Sequence, residues 1–406
     1  MSPRLTLRGE PSEPGQPGQP DETPGETPGE TGGPGEPREP GVVERWARAA
    51  WSRWAESDDP RVRKLVESLG PVAAAELVLA GDPSVPEAVR ARAMRSDVDR
   101  DLDVTTRAGG RVVCPGDDDW PAGLDDLILP PYCLWVRGPL DLRGLVRRSV
   151  SVVGARASTR YGETVATDLG AGLAERGFAV VSGAAFGIDG AANRGALAVD
   201  GPTVAVLAGG IDRPYPVAHS RLIGAIAESG ALMAEVPPGA APTRPRFLLR
   251  NRIIAAISTG TVVVEAGLRS GSLHTAGIAE TLGRPVGVVP GPVTSMVSAG
   301  CHQAAREGKA VVVTDVEEVV DLVGEYGVDA APRKRAPTRV DDDLDPVEAQ
   351  VYAMVPVRRA AAAADIAVAA GLSPTAVLAA LPRLELRGLV GRVDGSWRKA
   401  LTPQRR

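Results

Sequence analysis

Arg244-Pro-Arg246-Phe247-Leu-Leu-Arg250-Asn251-Arg252-Ile-Ile-Ala-Ala-Ile257, then Thr261-Val-Val-Val-Glu265-Ala-Gly267-Leu-Arg269-Ser270-Gly271-Ser272, is the stretch that decides how this chain is read. Four arginines fall between Ala240 and Ser258 with no acid among them, and one ring, Phe247, sits inside the cluster. An apolar strand and a Gly/Ser turn follow at once. Cations, a ring and a turn of free N–H groups are the parts that hold a phosphodiester strand and stack its bases. A helix with solvated arginines is the plainer reading of these residues alone. The surrounding turns decide between the two.

From Arg148 onward, strands and helices alternate, which predicts a parallel sheet with helices on both faces. Strands are expected at 149–153, 178–181, 203–207, 232–234, 261–264, 286–289 and 311–313, and helices at 162–176, 188–199, 217–228, 248–257 and 272–282. The strands end in turns suited to close approach: Gly154-Ala-Arg156-Ala-Ser158, Ser182-Gly183-Ala-Ala-Phe-Gly187-Ile-Asp189, Gly209-Gly-Ile-Asp212-Arg-Pro-Tyr215, the Glu265–Ser272 turn, and Pro290-Gly-Pro292. In an open parallel sheet such carboxyl-end turns converge on one crevice. Helix N-termini aimed into it favour anions.

Five segments follow from composition. Residues 1–41 hold ten Pro and nine Gly and lack apolar periodicity, so a disordered tail is expected. Residues 42–106 read as a helical N-terminal domain, with Trp46, Trp51 and Trp54 as core. Residues 107–324 are expected to form the parallel-sheet domain, entered through a turn-rich connector at Gly109–Leu142. Residues 325–345 are a linker. Residues 346–406 read as a winged helix-turn-helix: Ser373 caps its third helix, Pro374 occupies the first position, and an Asp394-Gly395 turn closes the wing. Arg383 and Arg387 would reach DNA, or the unit would instead bind protein. Pro382 is expected to kink or end the third helix.

The chain has 406 residues, 43% of them apolar, and a formal net charge of −5. Residues 1–41 account for that whole excess, so the body is neutral and free to carry a basic groove. Only four of the 46 basic residues are Lys, so phosphate contacts should be Arg forks. Three scattered cysteines, three scattered histidines and no long apolar run point to a reducing cytoplasm, no metal centre and no membrane span.

The ordered series Val152-Val-Gly-Ala-Arg156, Ser182-Gly-Ala-Ala-Phe-Gly187-Ile-Asp189, Gly209-Gly-Ile-Asp212-Arg-Pro-Tyr215-Pro, Glu235-Val-Pro-Pro-Gly239, Phe247-Leu-Leu-Arg250-Asn251-Arg252, Val264-Glu265-Ala, Ser270-Gly-Ser272 and Val289-Pro-Gly291 resembles the DNA-processing protein A (DprA/Smf) family. The resemblance covers about Arg107 to Val320 and the winged helix. It implies an extended Rossmann-type domain at residues 107–324 and a single-stranded DNA-binding protein that protects incoming strands in natural transformation, helps load RecA, works as a homodimer and catalyses no reaction. Carried over residue by residue, Arg156 belongs to the Gly-x-Arg turn of the family's basic pocket, Arg244 falls at a basic residue that contacts phosphate, Phe247 at the aromatic that meets a base, and Arg250 and Arg252 come with the Arg-Asn-Arg motif. The DNA-binding set is then Arg156, Ser158, Gly183, Arg244, Phe247, Arg250, Asn251, Arg252, Ser270, Gly271 and Ser272. No catalytic residue, metal ligand or cofactor is assigned. Leu248 stands where the family usually has Pro, and Asn193 replaces a common His.

Asp189, Asp212 and Glu265 sit where an acid caps a helix or braces a turn, and Glu265 could pair with an Arg of the crevice. Tyr161 and Tyr215 read as packing residues. One rival is a phosphoribohydrolase-like nucleotide enzyme, but its Pro-Gly-Gly-x-Gly-Thr loop is absent. Another is a transcription regulator led by the winged helix. Deleting residues 1–41 is expected to leave Tm and DNA binding nearly unchanged, with a modest gain in affinity at low salt as negative charge is removed. A large fall in Tm on truncation would show that the segment docks on the body.

Overall fold

Ser149-Val-Ser-Val-Val153 is buried at every position, as a strand covered on both faces requires. A computed structural model describes residues 40–145, 147–325, 327–330 and 343–400. Nearly all of the tail expected at 1–41, and most of the linker expected at 325–345, lie outside the described residues. The chain divides into two compact units, 1–331 and 332–406.

The first unit begins with five helices: α1 (Pro40–Trp54), α2 (Pro60–Leu69), α3 (Pro71–Leu79), α4 (Glu87–Ala93) and α5 (Val98–Arg107). Strands β1 (Gly110–Val113) and β2 (Leu134–Arg137) follow. Then come β3 (Ser149–Val153), α6 (Arg160–Glu175), β4 (Ala179–Ser182), α7 (Ile188–Ala198), β5 (Thr203–Leu207), α8 (Ser220–Ser229) and β6 (Ala231–Ala234). The unit closes with α9 (Arg244–Ala256), β7 (Gly260–Val263), α10 (Gly271–Thr281), β8 (Val286–Val288), α11 (Ala299–Arg306), β9 (Val311–Val312) and α12 (Val316–Val323).

The nine strands form one sheet in the order β1-β2-β6-β5-β4-β3-β7-β8-β9. All neighbours from β6 to β9 are parallel, while β1 and β2 are antiparallel. The stretch expected to be a connector therefore supplies two strands. Their short runs, separated by Pro-Gly-Asp turns, hide the period of two on which a strand reading depends. Helices α11 and α12 likewise lie outside the elements expected from sequence.

Strand order reverses between β3 and β7, which opens a crevice at their carboxyl ends. Val150 and Val152 pack on one face with Ala166, Leu169 and Ile188. On the other face Ser151 Oγ donates to the Ile254 carbonyl (2.9 Å) and Ser149 Oγ to that of Ile257 (2.9 Å), fastening α9 to the central strand. The helical region shares its core with the sheet: Trp51, Trp54 and Ile223 pack in one cluster with Leu207 and Leu232, and the Trp135 indole donates to Ser52 Oγ (3.0 Å). Trp51 and Trp54 are thus core, as expected, while Trp46 is only partly buried against that cluster.

The second unit contains α13 (Pro346–Met354), α14 (Ala363–Ala370) and α15 (Pro374–Leu386), then β10 (Val390–Val393) paired with β11 (Ser396–Lys399). Asp394 (φ 48°) and Gly395 (φ 76°) make the two-residue turn. Helix α15 runs through Pro382 to Leu386 rather than ending there. The carbonyl freed by proline is that of Leu378, on an exposed turn open to water. Arg383 and Arg387 lie 3.9 and 3.5 Å from the buried carboxylate of Glu348. Among the described residues no single helix is long and apolar enough to cross a membrane.

Candidate nucleic-acid interface

A cleft of about 750 Å³ opens at the reversal point of the sheet. The turn after β3 supplies Arg156, α9 supplies Arg244, Phe247, Arg250 and Asn251, and the start of α10 supplies Ser270, Gly271 and Ser272. Arg156, Arg244 and Arg269 are exposed on it. Asp189 is the one acid lining it among the described residues.

Helix α9 starts at Arg244, four residues before the helix expected from sequence. Pro245 is at home in a first turn, where its missing N–H has no helical partner. Phe247 is therefore helical and half-buried, and it does not belong to the hydrophobic core. The Arg156 guanidinium lies 4.4 Å from its ring centroid, and the Tyr215 ring lies 5.7 Å away. The ring is thus presented at the cleft with a cation beside it, a contact worth about 0.5–1 kcal/mol at an exposed site.

Successive helical residues point about 100° apart, and Arg250-Asn251-Arg252 use this to grip three elements. Arg250 donates to the Val206 carbonyl (2.8 Å) on β5. Asn251 donates to the Gly271 carbonyl (3.3 Å) at the start of α10. Arg252 donates to Glu235 (2.5 Å), just after β6, and Glu235 also accepts Ser57 Oγ from the helical region. Arg250 and Asn251 line the cleft floor; Arg252 is buried away from it. Gly183 is buried too, and a Cβ there would overlap the Arg250 guanidinium, so that glycine is the space in which Arg250 sits. Ser158 stands outside the lining, bonded to Glu163 (2.8 Å).

Ser270 caps α10: its Oγ accepts the Ser272 N–H (3.4 Å) and lies 2.7 Å from Ser272 Oγ. This leaves a helix N-terminus facing the cleft beside Arg269, an arrangement suited to an anion. Asp189 accepts the Gly183 N–H (3.1 Å). Burial pushes its carboxyl above the ordinary range, while Arg250, the Gly183 and Gly154 N–H groups and Arg156 pull it down. Burial lowers Arg250 in turn, opposed by Asp189. Glu265 does not pair with an arginine of the cleft. It accepts the Thr159 N–H (2.8 Å) and Thr159 Oγ1 (2.6 Å), clamping the start of α6. Asp212 braces a turn by accepting the Gly239 N–H (2.8 Å). Among the described residues no three His, Cys, Asp or Glu side chains gather as a metal site.

The family model described as DNA recombination-mediator protein A matches residues 111–324. The chain belongs to this family. A DprA-type DNA processing protein of Mycobacterium tuberculosis (strain ATCC 25618 / H37Rv) is 48% identical over 374 residues, 88% of this chain and 95% of the relative. Protein Smf of Escherichia coli (strain K12) is 36% identical over 286 residues, 66% of this chain and 71% of the relative. The X-ray structure of DNA processing protein A from Streptococcus pneumoniae superposes with a TM-score of 0.59 at 30% identity, covering 70% of this chain and 99% of that one.

The DNA-processing protein A assignment agrees with the extended Rossmann-type sheet, and Tyr215, Arg269 and His274 are among the lining residues outside the DNA-binding set expected from sequence. Tyr215, read as packing, is exposed and stands beside Phe247. Arg269 and His274 flank the α10 N-terminus. The available signal for Arg269 was a cation directly before a capping serine. Arg252→Ala should expose its structural role by stranding Glu235 in the interior, at about 3–5 kcal/mol of stability. Thermal melts should show the loss, and the salt dependence of DNA binding should not change. An unchanged Tm with a shallower salt dependence would place Arg252 on the DNA instead.

Proposed function

We propose that the cleft binds single-stranded DNA and that the protein protects the strand and passes it to the RecA recombinase, in the cytoplasm, as a homodimer and without catalysing a reaction. The observation that carries this reading is the ring of Phe247 presented among the exposed Arg156, Arg244 and Arg269 at a helix N-terminus. Arginine forks and a helix N-terminus recognise phosphate, which every nucleotide shares. A ring stacks on any base that is free of its neighbours, whereas a base inside a duplex must first be flipped out. The site therefore favours single strands with little regard to sequence. The Mycobacterium tuberculosis and Streptococcus pneumoniae relatives named above carry DNA processing in their descriptions, which supports the same direction.

Residues 346–400 fit a winged helix: α14 and α15 bend by 110° across a short turn ending at Ser373, and the hairpin follows. Arg383 and Arg387 already face Glu348, yet residues 346–400 hold seven basic against four acidic side chains, so the unit as a whole is net positive.

If three to four arginines of the cleft each neutralise one phosphate, the log–log salt slope for single strands should be about −2 to −3. Phe247→Ala should weaken binding by about 1–3 kcal/mol per stacked base, with the slope unchanged and Tm near that of the unaltered protein. Titrations with single-stranded and duplex DNA of one sequence at several salt concentrations check both. Equal affinity for duplex, or a slope near zero, would contradict the proposal.

A further inference from the structure

A second groove, of about 570 Å³, runs between the helical region and the sheet, and five arginines line it: Arg53, Arg92, Arg95, Arg100 and Arg213. Its three aspartates are all engaged. Asp97 caps α5 by accepting the Arg100 N–H (2.9 Å). Asp101 is buried and takes both arms of Arg53 (2.7 and 2.5 Å). Asp212 accepts the Gly239 N–H (2.8 Å) and lies 3.7 Å from Arg213. Arg53 also donates to the Pro238 carbonyl (2.7 Å), which fixes the floor, and Arg92 donates to the Trp54 carbonyl (2.8 Å). Arg95 and Arg100 are exposed, and among the described residues their guanidinium groups have no hydrogen-bond partner.

This groove adjoins the first. The turn after β5 gives Arg213 to one and Tyr215 to the other, and the stretch before α9 gives Gly239 to one and Pro242 to the other. Two residues of extended chain span at most about 7 Å, so no wide barrier separates Arg213 from Tyr215 along this turn. We propose that Arg92, Arg95, Arg100 and Arg213 bind the phosphodiester backbone of the single strand where it leaves the cleft past Tyr215. The helical region is then part of the DNA-binding surface as well as a support for the sheet. The inference rests on the cleft being a single-strand site.

The test uses the full chain and oligothymidines of two lengths: about 6 nucleotides, enough for the cleft alone, and about 25, enough for both grooves. The unaltered protein should bind the longer strand more tightly and with a steeper salt slope. The double variant Arg95→Gln/Arg100→Gln should keep the short-strand affinity and slope, and on the long strand its slope should be shallower by about 1.4. Arg213→Gln, made separately, should lower the long-strand slope by about 0.7. Matching melts of all three proteins establish that the fold is intact. Long-strand binding by the double variant that equals the unaltered protein's overturns the inference, and so does an equal loss at both lengths. Failure of the unaltered protein to bind the short strand overturns the cleft reading and takes this inference with it.

Discussion

The Arg250 guanidinium fills the space left by Gly183, donates to the Val206 carbonyl (2.8 Å) and lies under the field of the buried Asp189. Charge this deep is costly unless it is hydrogen-bonded and opposed by a nearby charge, and here the carboxyl edge of the sheet provides both. Asn251 and Arg252 continue the grip onto α10 and Glu235, while Ser149 and Ser151 hold the far end of the helix. With its C-terminal half fixed on several sides, α9 leaves its N-terminal end, held by Arg246 donating to Glu56 (2.7 Å), at the cleft. That end carries Arg244 and Phe247 into the cleft.

The electrostatics depend on local placement more than on total charge. The chain is formally −5, yet the cleft presents Arg156, Arg244 and Arg269 to solvent, and the one acid lining it among the described residues, Asp189, is turned inward onto Gly183. The same pattern recurs in the second groove, where Asp97, Asp101 and Asp212 are occupied by backbone N–H groups or by Arg53. Acids used as structural braces soften the positive field without competing directly for phosphate.

Much of this was legible in the sequence, because period and punctuation carry it. The buried strands from Ser149 onward, the glycine turns and the Asp394-Gly395 hairpin were readable as such. Strands β1 and β2 were not, since four-residue runs in a turn-rich stretch give too little alternation. The family resemblance put Arg250 and Arg252 in the DNA-binding set, but a motif cannot say which way a helical side chain points: one helps build the cleft floor and the other is buried beside Glu235. Tyr215 and Arg269 were missed for the converse reason, since their importance depends on which turns the fold brings together. Pro382 does not end α15, which continues to Leu386.

Amide hydrogen exchange of the full chain, with and without an unstructured single strand, tests most directly whether the sheet-edge cleft is the DNA site. The account predicts added protection in residues 153–160, 242–252 and 267–275, the three segments that meet at the cleft. Protection confined to residues 346–400, with those three segments unchanged, would contradict it and move the site to the C-terminal unit.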